Sequence, residues 1–292
     1  MTHYSFCLAW NWEHDADFVA LLEAAGQDRG TPPFQVTPAN LEEVLHALHA
    51  GALSFHTLLD RASDSDERFL ALVEWARARG AQRLNRYEAA QRAWDKAAMH
   101  RILGAVLYTL PTITLPSYAE QADLPFLDTS SLGVPFTIKP AYGGGGEGVV
   151  LEATSLEQVQ TARMGRPDER FLLQRYIVPE HVAGRPAWFR VVYCTGQSYP
   201  CWWDTQTHVY QPVTLEEEDR HGLALLRTIV VAIAQYCELD LFSSEIALAP
   251  DGHYVVVDYV NDPLDLRLQS RTPEGVPDEI VRAIALRLLT AT

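Results

Sequence analysis

Four consecutive glycines sit between two apolar runs in Phe136-Thr137-Ile138-Lys139-Pro140-Ala141-Tyr142-Gly143-Gly144-Gly145-Gly146-Glu147-Gly148-Val149-Val150-Leu151. Glycines let backbone N–H groups turn toward one point and let a ligand approach the main chain closely. Lys139, at the end of the preceding run, adds a charge that can reach phosphate oxygens. The run continues into β-branched Val149-Val150-Leu151, which reads as a strand and not as a helix. A Walker A loop needs Gly-Lys-Ser/Thr followed by a helix, and a dinucleotide fingerprint also opens a helix, so both are excluded. What remains is a glycine-rich flap joining two antiparallel strands, either a lid over nucleotide phosphates or a plain flexible hairpin loop.

The chain has 292 residues, enough for two domains or one large α/β body with subdomains. Its 23 basic and 38 acidic residues give a net charge of −15, so the basic footprint of a nucleic-acid binder is missing. Cys7, Cys194, Cys201 and Cys237 form no C-x-x-C pair and no disulfide framework, which fits a reducing cytoplasm. Met1-Thr2-His3-Tyr4 lacks a basic region followed by an apolar run, so no signal peptide is expected. No window is apolar for long enough to span a membrane.

Strand and helix patterns alternate over residues 1–90, predicting a small open α/β unit with a parallel sheet. Tyr4–Trp10 and Ala52–Leu58 read as strands, the latter delivering Asp60 and Arg61 to a loop. Asp17–Ala25, Asn40–Ala50 and the stretch around Phe69, Leu72, Val73 and Ala76 read as helices. A further helix is expected over Glu88–Leu103, carrying Asp95-Lys96, followed by an extended connector at Leu110–Pro116. Capping boxes at Ser155–Gln158 and Thr214–Glu217 each open a helix, the second expected to run through Leu223, Leu226, Val230, Ile233 and Ala234. Arg170–Ile177 and Trp188–Thr195 read as strands. Glu245–Ala249 and Tyr254–Val260 flank the turn Ala249-Pro250-Asp251-Gly252, a hairpin signal. Ile280–Leu289 reads as a closing helix.

Lys96, Lys139 with its glycine loop, the strand Phe171-Leu172-Leu173-Gln174-Arg175-Tyr176-Ile177 with Glu180 beyond it, and finally Glu245, Asp258 and Asn261 follow one another in chain order. Two carboxylates and an amide oxygen are hard ligands suited to Mg²⁺ on phosphates. Two lysines and glycine N–H groups can neutralise a triphosphate. On these words, together with Val257-Asp258-Tyr259-Val260-Asn261-Asp262-Pro263, the sequence resembles the ATP-grasp superfamily, the fold of D-alanine–D-alanine ligase, glutathione synthetase and biotin carboxylase. The resemblance implies an α/β chain in three parts: a pre-ATP-grasp domain over 1–90, a central subdomain with the lid over 91–178, and a C-terminal subdomain with the metal motif over 179–292.

The resemblance also implies roles. Lys96 and Lys139, with Gly143, Gly144, Gly145 and Gly146, would hold ATP phosphates. The main chain of Gln174 and Ile177 would meet adenine, and Glu180 the ribose. Glu245, Asp258 and Asn261 would bind Mg²⁺. Arg190 would stabilise the transferred phosphate, with a solvated strand arginine as the alternative, and Arg267 would bind a substrate carboxylate or form a surface ion pair. The family's last motif usually has one residue between acid and asparagine; here Tyr259 and Val260 both intervene. Strand alternation would then put Asp258 and Asn261 on opposite faces unless a bulge turns both inward, and Asp262 or the Asn261 backbone is the fallback ligand. Many relatives also carry an arginine beside the first metal carboxylate, which Phe242-Ser243-Ser244-Glu245 lacks. Asp204, His208, Trp202 and Trp203 lie where some relatives bind the acceptor, although a packing strand explains them better. His46, His49 and His100 have no evident partner, and Trp10-Asn11-Trp12-Glu13 is expected to pack, at a strand end where substrate could also lie.

The leading expectation is an ATP- and Mg²⁺-dependent ligase joining a small-molecule or peptide carboxylate to an amine, or less readily a thiol, through an acyl phosphate. It is expected to be cytoplasmic, without nucleic-acid or membrane partners, and a homodimer is compatible with the resemblance. A kinase acting on a hydroxyl shares the fold but wants a more basic pocket. A non-catalytic nucleotide- or partner-binding protein is the third reading, supported by the irregular metal motif.

Overall fold

The computed structural model describes residues 1–290. Its first sheet comprises β1 (Thr2–Trp10), β2 (Phe34–Val36), β3 (Leu53–Arg61) and β4 (Gln82–Leu84), in the order β2-β1-β3-β4 with every pair parallel. Helices α1 (Ala16–Asp28), α2 (Leu41–His49) and α3 (Leu70–Ala78) connect the strands. Parallel pairing requires such crossovers, which is why the alternating pattern was readable. The short strands β2 and β4 carry too few apolar residues to stand out in the sequence.

The helix expected over Glu88–Leu103 is two, α4 (Tyr87–Ala93) and α5 (Lys96–Leu103). Asp95 is extended, at φ −85° and ψ 98°, and its carboxylate accepts the N–H groups of Ala97 and Ala98. It is therefore the N-cap of α5 and not a residue inside a helix. The connector after it contains a strand, β5 (Thr112–Leu115). Pro111 and Pro116 flank β5, and it lies at a sheet edge, the position where proline is tolerated.

The second sheet adds β6 (Phe136–Pro140), β7 (Val150–Ala153) and β8 (Phe171–Arg175), ordered β5-β8-β6-β7 and antiparallel throughout. Helix α6 (Leu156–Gly165) opens with the expected capping box and covers one face, where Phe136, Ile138, Val159, Phe171 and Leu173 are buried. The opposite face carries Thr137, Lys139, Leu172 and Gln174. A two-residue ribbon, β9 (His181–Val182) with β10 (Arg185–Pro186), leads to the third sheet.

That third sheet contains β11 (Trp188–Cys194), β12 (Gln197–Trp203), β13 (Tyr210–Pro212), β14 (Leu241–Leu248) and β15 (Tyr254–Asn261), in the order β13-β12-β11-β14-β15 and antiparallel. The capping box at Thr214 opens α7 (Leu215–His221), but the expected long helix stops there. Gly222 adopts φ +67°, and a second helix, α8 (Leu225–Cys237), follows. Glycine is the residue that takes this left-handed turn without a Cβ penalty. Helix α9 (Asp278–Thr290) closes the chain. One apolar cluster joins Phe6, Leu8, Phe18 and Leu22 from the beginning of the chain to Val192 on β11 and to Ile284 and Leu288 near the chain's end, so α9 seals the first sheet onto the third. Among the described residues no helix is long and apolar enough to cross a membrane.

Candidate active site

The antiparallel register places Glu245 opposite Arg190 on one side and opposite Asp258 on the other. Cross-strand partners project to the same face, so this row sets a guanidinium and two carboxylates side by side. Arg190 Nη1 lies 3.6 Å from Glu245 Oε1, and its Nε donates to Ser243 Oγ at 3.1 Å. The Phe242–Glu245 segment has no arginine of its own; strand pairing supplies one from β11. Arg190 also lies over the faces of Trp203 and Tyr210, 4.7 Å and 5.7 Å from their centroids. Burial works against its charge, but Tyr210, Glu245, Asp258 and Asp265 outweigh that and hold it protonated.

The register of β14 against β15 slips on both sides of Asp258. Ser243 pairs with Asn261, Glu245 with Asp258, and Ile246 with Val256. The extra residues lie on β15, and these are two β-bulges. The first brings Asp258 and Asn261 onto the face of Glu245 and Ser243, and Asn261 Nδ2 lies 3.5 Å from the Ser243 carbonyl oxygen. The inward arrangement that simple alternation denies is thereby achieved. Asp262, the fallback ligand, is turned elsewhere: its carboxylate accepts from Asn85 Nδ2 at 2.8 Å and Trp94 Nε1 at 3.3 Å. Burial pushes its pKa up to about 6 in spite of those bonds.

Asp258 Oδ1 is buried and has no hydrogen-bond partner. A buried carboxylate oxygen without a partner is costly, and a cation there would satisfy it. Burial raises the Glu245 carboxyl, as does the charge of Asp258, while Arg190, Trp188 and Lys139 oppose the rise. Trp188 Nε1 donates to Glu245 Oε2 at 3.3 Å. Among the described residues no three histidine, cysteine, aspartate or glutamate side chains converge. The donor set is two carboxylates and the Asn261 amide, oxygen-only chemistry that fits a hard divalent cation.

Lys139 projects from β6 into this cluster. It is 6% exposed, and its Nζ donates to the carbonyl of Val257 at 3.0 Å. That carbonyl belongs to the extra residue of the second bulge. Burial lowers the lysine's pKa and Lys96 lowers it further, while Asp258 and Glu245 work the other way. Lys96 begins α5, its N–H donates to the Ala141 carbonyl at 2.8 Å, and its Nζ donates to the Gly143 carbonyl. The two lysines, 43 positions apart in the chain, are thus close enough for the charge of Lys96 to act on Lys139. Gly143 and Gly146 take φ of +104° and +75°, and the four glycines are exposed.

Gln174 is placed differently from expectation. It lies on an interior strand, opposite Thr112 on one side and Thr137 on the other, so the ladder takes up its main chain. Its side-chain amide instead lies 3.4 Å from the Tyr259 hydroxyl. Ile177 follows the strand end and is buried beside Leu110, Val255 and Val257. Glu180 is exposed on the segment joining the second and third sheets, its N–H bonded to the Leu248 carbonyl at 2.8 Å.

Arg267 pairs with Asp265 at 2.6 Å and lies over Trp12 at 5.8 Å. The Asp265 carboxylate favours the charged form of both Arg267 and Arg190. Asp204 caps a turn through the N–H groups of Gln206 and Thr207, and His208 stacks on Trp203. His100, without a metal-ligand partner in the sequence, packs against Tyr259, its Nδ1 2.7 Å from the hydroxyl. Its position on α5, one turn from Lys96, was the available signal.

This geometry belongs to a known fold. The RimK domain protein ATP-grasp of Sphaerobacter thermophilus DSM 20745 is similar over 97% of this chain and 99% of its own, at 21% identity and a TM-score of 0.64. The D-alanine–D-alanine ligase of Bacillus anthracis, solved with ATP, is similar over 99% and 95%, at 13% identity and 0.65. The ATP-grasp ligase PsnB, solved with a minimal precursor, Mg and ADP, is similar over 97% of each chain, at 13% identity and 0.61. No protein-family model matches the sequence, and no curated protein matches it. The chain has the ATP-grasp fold.

Proposed function

We propose that this chain is an ATP-dependent ligase that joins a carboxylate to an amine through an acyl phosphate. The observation that carries this reading is the meeting of Glu245, Asp258, Arg190 and Lys139 between two sheets, with Asp258 Oδ1 buried and unpartnered. Glu245, Asp258 and Asn261 would hold Mg²⁺, which supplies charge neutralisation on the phosphates. Lys139 and Lys96 contact phosphate oxygens as charge-assisted donors, and the loop Gly143–Gly146 closes over them. Ile177 meets the adenine edge, and Glu180 the ribose. ATP in the Bacillus anthracis ligase and Mg with ADP in PsnB support this assignment by analogy of fold.

The reaction follows from the charges. A substrate carboxylate oxygen attacks the γ-phosphorus; the new O–P bond forms as the bond to ADP breaks. Arg190, half-buried and held protonated, offsets the charge on the phosphoryl group in transit. The amine then attacks the acyl carbon, the amide forms and phosphate leaves, with the amine proton released to solvent. No side-chain nucleophile is required. The four cysteines are buried, and burial raises every one of their thiols, to about 11 for Cys194 and Cys237. Arg267, beside Trp12, suits a carboxylate of the incoming substrate, small molecule or peptide. Four free thiols fit a reducing compartment.

The test is a screen of amino acids and peptides as paired substrates, with ADP, free phosphate and product mass measured together. One ADP and one phosphate per new amide supports the ligase. ADP with a phosphorylated product and no free phosphate would replace it with a kinase.

A further inference from the structure

Resting on that nucleotide-site reading, we propose that Tyr259 is a positioning residue whose hydroxyl, held by His100 and Gln174, fixes the bulge that turns Asp258 and Asn261 to one face. Three positions separate Asp258 from Asn261, whereas two separate their partners Glu245 and Ser243. In a regular strand that difference would send the Asn261 side chain to the opposite face. The extra residue must be held outside the ladder, and Tyr259 is the residue next to Asp258 with the means to hold it.

Its ring is fully buried in the apolar cluster containing Met99, Leu103 and Phe189. Its hydroxyl lies 2.7 Å from His100 Nδ1 and 3.4 Å from Gln174 Nε2, and Gln174 Nε2 lies 3.4 Å from Thr112 Oγ1. These partners come from α5, β8 and β5. One hydroxyl therefore ties the metal strand both to the helix that carries Lys96 and to the sheet that carries Lys139. On the other side of Asp258, the Lys139 ammonium bonds the Val257 carbonyl. The carboxylate is thus braced through both chain neighbours. Packing alone asks only for the ring; a buried hydroxyl is costly unless its hydrogen bonds are made, and here two polar side chains from two elements make them, one of them held in turn by Thr112.

The experiment compares wild type with Tyr259→Phe, which keeps the ring and removes the hydroxyl. Mn²⁺ affinity in the presence of ADP is read by electron paramagnetic resonance, ADP affinity in EDTA by calorimetry, and melting temperature separately. Removing an outer-shell support weakens metal binding by roughly tenfold or more, so Mn²⁺ affinity falls about tenfold while metal-free ADP affinity is unchanged. A folded Tyr259→Phe protein with wild-type Mn²⁺ affinity overturns the proposal, whatever its melting temperature. If Tyr259→Phe does not fold, His100→Gln, which leaves Gln174 on the hydroxyl, is read the same way: weakened Mn²⁺ binding supports the proposal and unchanged binding overturns it. Wild type that binds no Mn²⁺ with ADP overturns the nucleotide reading itself, and this proposal with it.

Discussion

Glu245 and Asp258 face each other directly across β14 and β15, and the Oδ1 atom of Asp258 is buried with nothing to bond it. The charge of Asp258 raises the Glu245 carboxyl, and a cation held between the two would relieve that repulsion. Asp258→Asn removes one charge and keeps the shape. ATP-dependent turnover should fall by about two orders of magnitude or more, the scale on which a single charge-stabilising group acts. The melting temperature, read by calorimetry without metal, should be no lower than that of wild type. Full activity in the variant would place the metal ligand elsewhere.

In the proposed site Lys139 would be both a phosphate contact and a brace. Its ammonium is buried against the Val257 carbonyl, so truncation to alanine would open space as well as remove charge. Lys139→Met keeps most of the volume. Hydrogen bonds to charged groups contribute about 1.5–3 kcal/mol, so Mg·ATP should bind at least about tenfold more weakly to a protein with an unchanged circular dichroism spectrum. Unchanged affinity by titration calorimetry would remove Lys139 from the site.

The loop at Gly143–Gly146 is exposed, and a Cβ added at any of these four positions would meet no atom within 4 Å. Exposed glycine loops are preferred sites of proteolytic nicking. A protease should cut there in free protein, and Mg·ATP should slow the cut if the loop closes over phosphate. Equal cutting rates with and without nucleotide would argue against a lid.

A pH-dependent prediction comes from Asp240, away from the site. Burial raises its carboxyl pKa and Arg86 only partly offsets this. The folded state then binds its proton more tightly than the unfolded chain does. Stability contributed here is lost as pH rises from the ordinary aspartate value of about 4, and the deficit is complete above the folded pKa. Asp240→Asn should melt above wild type at about pH 8 and converge with it near about pH 4. A difference independent of pH would show that the charge is not the cause.

The elements legible in the sequence were those with a local cause. Ser155 and Thr214 cap their helices as their spacing predicts, and the hairpin around Pro250-Asp251-Gly252 forms between the expected strands. Where tertiary pairing decides, the sequence misleads. Asp95 looks like a residue inside one long helix, yet it caps the second of two and bonds Arg170 at 2.6 Å. The 110–116 stretch looks like a connector until β8 pairs with it. The bulges in β15 depend on the register against β14, which no local pattern encodes, so the inward turn of Asn261 could be named only as a condition. Arg190 reaches Glu245 through strand order alone, 55 positions earlier in the chain.

In the proposed reaction a substrate carboxylate takes the γ-phosphoryl group of ATP, and attack by an amine on the acyl carbon then expels it as phosphate. The most direct measurement uses the carboxylate substrate found in the screen, labelled with ¹⁸O, and follows the label by mass spectrometry. An acyl phosphate carries one carboxylate oxygen into the phosphate released, so the account predicts one ¹⁸O per phosphate formed alongside each amide. Phosphate free of label, with both ¹⁸O atoms retained in the product, would contradict it.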